Sequence, residues 1–186
     1  VLIVALIMLI ILTLLGIAGV RGVAPEERMT SNTLDRNLAF QIAEAALREG
    51  ERIALDQAKK KNAGFTAGTS SCAEPECSSG LCRPRPQDCD VPLWLQEAPP
   101  ASRTPDSLPA IWQIVDDSDD STLIASLGAL QRDFAPAYIV EHLGNTFPAD
   151  PARPRNALVA KRYRITATSG GEGRAAVMLQ SIYSAR

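Results

Sequence analysis

The sequence predicts an α+β fold in which one long N-terminal helix packs its outer half on an antiparallel sheet of about four strands, with a disulfide-bearing irregular region between the two. Three observations predict it. Residues 1–20 contain no charged side chain, residues 25–62 repeat polar and apolar positions at helical spacing, and from Ile111 onward the pattern changes to short alternating runs. The corresponding segments are 1–24, an apolar half-helix of membrane length; 25–62, its amphipathic continuation; 63–110, the Cys/Pro-rich irregular region; and 111–186, the sheet of a globular head.

Composition narrows the function before any motif is read. The 186 residues are 46% hydrophobic and 22% charged, enough for one modest domain plus an anchor and too few for two ordinary cores. A net charge of −2 leaves no basic excess to hold a phosphate backbone, which argues against nucleic acid as a partner. The single histidine, His142, gives neither a His-rich metal site nor a His pair for proton shuttling.

Between Val1 and Val20 only Thr13, Gly16 and Gly19 interrupt the apolar run. As a helix it is about 30 Å long, the thickness of a hydrocarbon core, so a transmembrane segment is expected, with Leu2, Ile3, Leu6, Ile7, Ile10 and Leu14 on its contact surface. A cleaved secretory signal fits less well. Its apolar region runs about 7–15 residues, and here the small-residue site Gly22-Val23-Ala24 is followed by Pro25. Gly16, Gly19, Gly22 and Pro25 together mark a kink or a locally unwound stretch. Pro25, with Glu26 and Glu27 behind it, suits the first turn of a new helical segment, where a missing N–H costs nothing and acids meet the positive end of the dipole.

Beyond that break Asn37, Gln41, Glu44, Arg48, Glu51 and Lys59 form one polar stripe, and Leu34, Leu38, Ile42, Ala45, Ala46 and Ile53 lie on the broader opposite side. Leu34, Leu38, Ile42 and Ile53 are therefore expected to pack the helix on the sheet. Glu44 and Arg48 stand in the favourable i, i+4 order. Lys59-Lys60-Lys61, ahead of Asn62 and Gly64, ends the helix with cations at its negative end.

Residues 62–110 are rich in Pro, Ser, Gly and Cys and need a covalent staple. Cys72, Cys77, Cys82 and Cys89 supply it as two disulfides, in one of three pairings that the spacing does not separate. A zinc site is the alternative; intervals of four, four and six residues lack the paired C-x-x-C knuckles of zinc ribbons, so no metal or other cofactor is expected. Disulfides imply an oxidising compartment, which places the C-terminal part outside the cytoplasm.

IWQIV (111–115), AYIVEHL (137–143), AKRYRITATS (160–169) and AAVMLQSIY (175–183) read as strands. In the third, Tyr163, Ile165 and Ala167 alternate with Arg162, Arg164, Thr166 and Thr168, the period of a half-buried antiparallel strand. Ser169-Gly170-Gly171-Glu172-Gly173 turns it into the last strand as a hairpin, and Ser126 to Asp133 reads as a short helix or turn.

Sharper chemistry fails residue by residue. The run Asp116-Asp117-Ser118-Asp119-Asp120 is not an EF-hand: counted from Asp117, the places that need Gly and Glu hold Thr122 and Gly128, so a solvated loop is expected. His142 reads as a structural histidine, and Trp94 and Trp112 as core. There is no G-x-S-x-G elbow, and Gly170-Gly171 lacks the following helix that a phosphate cradle needs. No catalytic constellation is left, and an enzyme is not expected.

The wording VLIVALIMLIILTLLGIAG, then EERMTSNTLDRNLAFQIAEAALREGE, and the ending KRYRITATSGGEGRAAVMLQSIY resemble the PilX group of minor pilins among the type IV pilins, closely over residues 1–53 and more loosely over 137–183. The resemblance implies the type IV pilin fold and a precursor cleaved after a glycine by prepilin peptidase. It also implies a subunit held in the bacterial inner membrane with its head in the periplasm, then extracted into an extracellular pilus. The partners it implies are other minor pilins, the major pilin and a large tip adhesin, in a machine for adhesion and twitching motility. Most pilins carry a glutamate near the fifth mature position, whereas residues 1–20 here hold no acid. That absence is shared by the PilX group and by the K-type pseudopilins of type II secretion, both placed at a filament tip. A K-type pseudopilin and a single-span membrane protein with a periplasmic binding domain are the competing readings. The first usually carries an extra helical domain for which this chain has no room, and a helix running directly from membrane into head argues against the second.

Overall fold

The computed structural model describes residues 1–65, 72, 76–83, 86, 89–96, 111–115, 133–148, 159–171 and 173–185, apart from the side chains of 18–25 and 96. The chain begins as one 58-residue helix, α1 (Leu2–Lys59), about 87 Å long at 1.5 Å per residue. Its threonines stay helical by bonding back along the axis: the hydroxyls of Thr13, Thr30 and Thr33 donate to the carbonyls of Ile10, Glu26 and Met29 at 2.8–2.9 Å. The unwound stretch expected over 16–25 does not interrupt α1. A helix-interior proline costs about 3 kcal/mol and each glycine about 1 kcal/mol, and α1 runs through at that cost between strong helix formers on both sides.

Among the described residues no helix is long and apolar enough to cross a membrane; the side chains of 18–25, which belong to the expected span over 1–24, lie outside the described residues.

At its other end α1 closes within the lysine run. Lys61 and Asn62 take positive φ values of 56° and 62°, the Asn62 amide donates to the Gln57 carbonyl at 2.7 Å, and the Lys61 amide donates to that of Ala58 at 3.4 Å. This is the Schellman arrangement, built here without glycine.

The strands are β1 (Cys77–Ser78), β2 (Leu81–Cys82), β3 (Gln113–Ile114), β4 (Ala137–Pro148), β5 (Val159–Ser169) and β6 (Val177–Ala185), with a short helix α2 (Leu93–Gln96) between β2 and β3. They form one sheet in the order β1-β2-β4-β5-β6, and β3 pairs with β4 beside β2. The sheet is therefore not an all-antiparallel one of four strands: β2 runs parallel to β4, with Leu81 opposite Val140 and Cys82 opposite Glu141. The extra hairpin lies in the region expected to be irregular. In CSSGLC the turn residues Ser79 and Gly80 both take positive φ, the requirement of a two-residue type I′ turn, but strands of two residues are too short to show a period.

The helix meets the sheet through small residues. Ala46, Ala54 and Ala58 share one buried cluster with Tyr138, Val140, Tyr163, Ile165 and Ala167 of β4 and β5, Gly50 lies against Ile165 and Tyr138, Ala39 and Ile42 form a second cluster with Phe134, and Ala43 is buried between them in sequence. A Cβ on Gly50 would stand 2.5 Å from Cγ2 of Ile165, so the two backbones approach more closely than large side chains permit. Of the residues expected to pack the helix on the sheet, Ile42, Leu38 and Ile53 join buried clusters, and Leu34 does not. Only Ile42 is fully buried; Leu38 and Ile53 flank the seam half-buried, and Leu34 is 60% exposed.

The far face of the sheet is also covered, so β5 is not half-buried. Cys82, Leu93, Ile111 and Trp112 pack on Ala137 and Ile139, with Trp94 at their margin. Thr166 and Thr168 are buried beneath this layer; the Thr166 hydroxyl accepts from Gln180 at 2.9 Å, and that of Thr168 donates to the Val177 carbonyl at 3.2 Å. The run Asp116–Asp120 and nearly all of 126–133 lie outside the described residues.

Candidate assembly interface

α1 divides into a part seated on the sheet and a part without cover. From Leu2 to Ile17 the large apolar side chains are 47–80% exposed on every side of the helix, and Leu2, Ile3, Leu6, Ile7, Ile10 and Leu14 are among them. A helix that is apolar all round has no stable place in water; it needs lipid or other helices around it. The head therefore presents an adhesive rod whose surface has no preferred side.

The rod leaves the head at a polar clamp. Both oxygens of Asp35 are used: Oδ2 accepts the Ala175 amide at 2.5 Å and Oδ1 accepts Nη1 of Arg174 at 3.1 Å. Arg174 also donates to Asp133 at 3.2 Å and lies over the Phe134 ring, 5.4 Å from its centroid. The β5–β6 turn is thus tied to the helix. Further along, the Ser169 hydroxyl donates to the Ala39 carbonyl at 2.6 Å, and Ser181 to Glu51 at 3.0 Å. The ammonium of Lys161 donates to the Ala58 carbonyl in the last turn of α1, where a cation is favoured. On the helix surface Glu44 and Arg48 stand 3.7 Å apart, an exposed pair of small weight.

Two disulfides hold the layer on the far face. Cys72 joins Cys89 and Cys77 joins Cys82, with Cα atoms 5.5 Å and 4.2 Å apart. All four thiols are used, so none remains as a zinc ligand. The Cys77–Cys82 bond closes the β1–β2 hairpin. Under this layer Glu141, fully buried, takes a bidentate pair of bonds from Arg164 directly opposite on β5, at 2.8 and 2.9 Å. The guanidinium in turn stacks on Trp94, 4.4 Å from its ring centroid. The carboxylate is buried and the guanidinium is partly exposed, so Glu141 is stable in place because Arg164 satisfies it.

His142 faces the helix side. Its ring sits between those of Phe65 and Tyr163, each centroid 5.4 Å away, and its Nε2 lies 2.9 Å from Asn145 and 3.1 Å from Asn62. The irregular pairing after His142 brings Asn145 round to meet it. Burial holds the His142 pKa below its ordinary value, against the Asn145 bond and with help from the nearby charges of Arg83 and Lys161. Tyr163 donates to Asn62 at 2.5 Å, and burial pushes its pKa up to about 12. This cluster fastens the end of α1 to β4 and β5. The sequence placed His142 as structural but gave no sign of the Asn62–Asn145–Tyr163 group, which only the strand irregularity assembles.

A disulfide-stapled head on an apolar helical rod defines a subunit whose helix must be housed in lipid or among other helices. Residues 1–48 match the family model described as PilX N-terminal, and residues 78–185 match that described as type IV pilus assembly protein PilX C-term. The chain belongs to the PilX family of type IV pilus assembly proteins and is a minor pilin of that type. No curated protein and no solved structure matches it.

Proposed function

We propose that this minor pilin primes assembly of a type IV pilus and stays at or near the fibre tip in few copies, supporting adhesion and twitching motility. The single observation behind the position is that residues 1–20 hold no carboxylate. In a helix bundle a subunit whose N-terminal amine lies in an apolar core needs a negative partner on its neighbour, and an unpaired charge there costs several kcal/mol. A subunit at the leading end has no amine ahead of it to neutralise. Before assembly the segment 1–24 rests in the inner membrane with the head in the periplasm, and the exposed rod from Leu2 to Ile17 then exchanges lipid for the helices of other minor pilins and the major pilin. A large tip adhesin sits ahead of this complex.

Deletion tests priming: fibres should become fewer rather than shorter. Gold labelling of an epitope placed in residues 116–120 tests position. Label at fibre ends supports the proposal, and regular label along the shaft, rising with fibre length, refutes the tip assignment.

A further inference from the structure

Among the described residues β6 is the outermost strand of the sheet with no strand on its far side, and nothing in its own sequence guards that edge. Proteins usually blunt such an edge with charge, proline, a bulge or brevity. The opposite margin is blunted by brevity, since β1, β2 and β3 have two residues each. β6 has nine, VMLQSIYSA, with no charged residue, proline or glycine, and it pairs with β5 from Ser169–Val177 to Lys161–Ala185 without a register shift. On the face away from α1 it leaves Met178 39% and Ile182 58% exposed, where the same face of β4 and β5 is covered.

We propose that the β6 edge pairs antiparallel with the β6 edge of a second copy of this chain, giving one continuous sheet across a two-fold axis at Ser181. That register uses the whole strand. Val177 falls opposite Ala185, Met178 opposite Ser184, Leu179 opposite Tyr183 and Gln180 opposite Ile182, and the two Ile182 side chains become diagonal neighbours. A neutral strand meets no like charge in pairing with itself, which a charged edge could not do. The interface is isologous and closes on itself, so it makes dimers and not open chains. A strand pair buries less than the roughly 1,200 Å² of stable interfaces, so the dimer forms at high local concentration. The two α1 helices then run antiparallel, so the copies belong to different helix bundles. The inference stands on the sheet edge and does not rest on the tip position.

The test uses the full chain in mild detergent. All four native cysteines are disulfide-bonded, so Ser181→Cys adds a single thiol that meets its own copy at the axis. Mild oxidation should give a reducible dimer. Ser184→Cys, whose opposite residue is Met178, should give little, and Met178→Cys with Ser184→Cys should restore it without touching the Ser181–Glu51 bond. Ile182→Lys changes an exposed side chain only and should lower the Ser181→Cys dimer about tenfold by placing two cations diagonally at the edge. Equal yields from Ser181→Cys and Ser184→Cys, or a dimer indifferent to Ile182→Lys, would mean association through the helices and overturn the proposal. So would chains that stay monomeric in both the Ser181→Cys and the Met178→Cys/Ser184→Cys forms.

Discussion

Replacing Gly50 by alanine should destabilise the head, although the same change in an exposed helix stabilises by up to about 1 kcal/mol. The added methyl would lie 2.5 Å from Cγ2 of Ile165 and 3.5 Å from the Tyr138 ring. Ile165 is fully buried and β-branched, so it cannot turn away without leaving its rotamer well. Overpacking of this kind costs about 1–3 kcal/mol. Set against the gain in helix propensity, a net loss of up to about 2 kcal/mol remains, or a melting temperature lower by up to about 4–8 °C for a chain of this size. The assay is thermal unfolding followed by circular dichroism on a chain starting at residue 29. Ile165→Ala alone should cost about 2–5 kcal/mol, and the double variant should cost less than the two losses added. A melting temperature that rises with Gly50→Ala, or strict additivity in the double variant, would show that the helix can retreat from the sheet freely and would refute the close-packed seam.

Asp35→Ala should cost about 1–3 kcal/mol by leaving the Ala175 amide without its acceptor and Arg174 with Asp133 alone, and hydrogen exchange at Ala175 should quicken before that of β5. Burial lowers the folded-state pKa of His142 below 6.5, so the folded chain takes up this proton less readily than the unfolded one. Its contribution is complete above about pH 6.5 and is lost as the pH falls through the depressed value, so the urea midpoint should drop on acidification and His142→Asn should flatten that drop. All thiols should resist alkylation until a reductant is added. Removing Cys72–Cys89, whose partners are 17 residues apart, should cost about 3 kcal/mol, more than removing Cys77–Cys82 at a separation of 5, as urea titration of each double-serine variant would report.

The long elements were legible because period accumulates with length. β4, β5, β6 and the end of α1 all fall where the alternating and helical patterns place them. What escaped notice was written in small residues. Ala39, Ala43, Ala46, Gly50, Ala54 and Ala58 recur three to four apart, and that run of small side chains signals close approach more surely than the larger Leu34 beside it. The β1–β2 hairpin was readable only through the Ser-Gly turn between two cysteines. Its parallel pairing with β4, and the burial of Glu141 beneath Trp94, depend on where the chain returns after long connections, which no local pattern encodes.

The two bonds that tie α1 to β5 stand at matching distances. Lys161 and Ser169 are eight residues apart on the strand, about 26 Å, and the carbonyls they grip, Ala58 and Ala39, are nineteen apart on the helix, about 28 Å. Helix and strand are thus yoked at both ends of one span. A pull along the rod enters the head lengthwise through β5, which has β4 on one side and β6 on the other. The ladder bonds on both flanks are then loaded in shear together instead of being unzipped one by one. The head should bear tension along the fibre far better than a sideways tug that peels β6 from the edge.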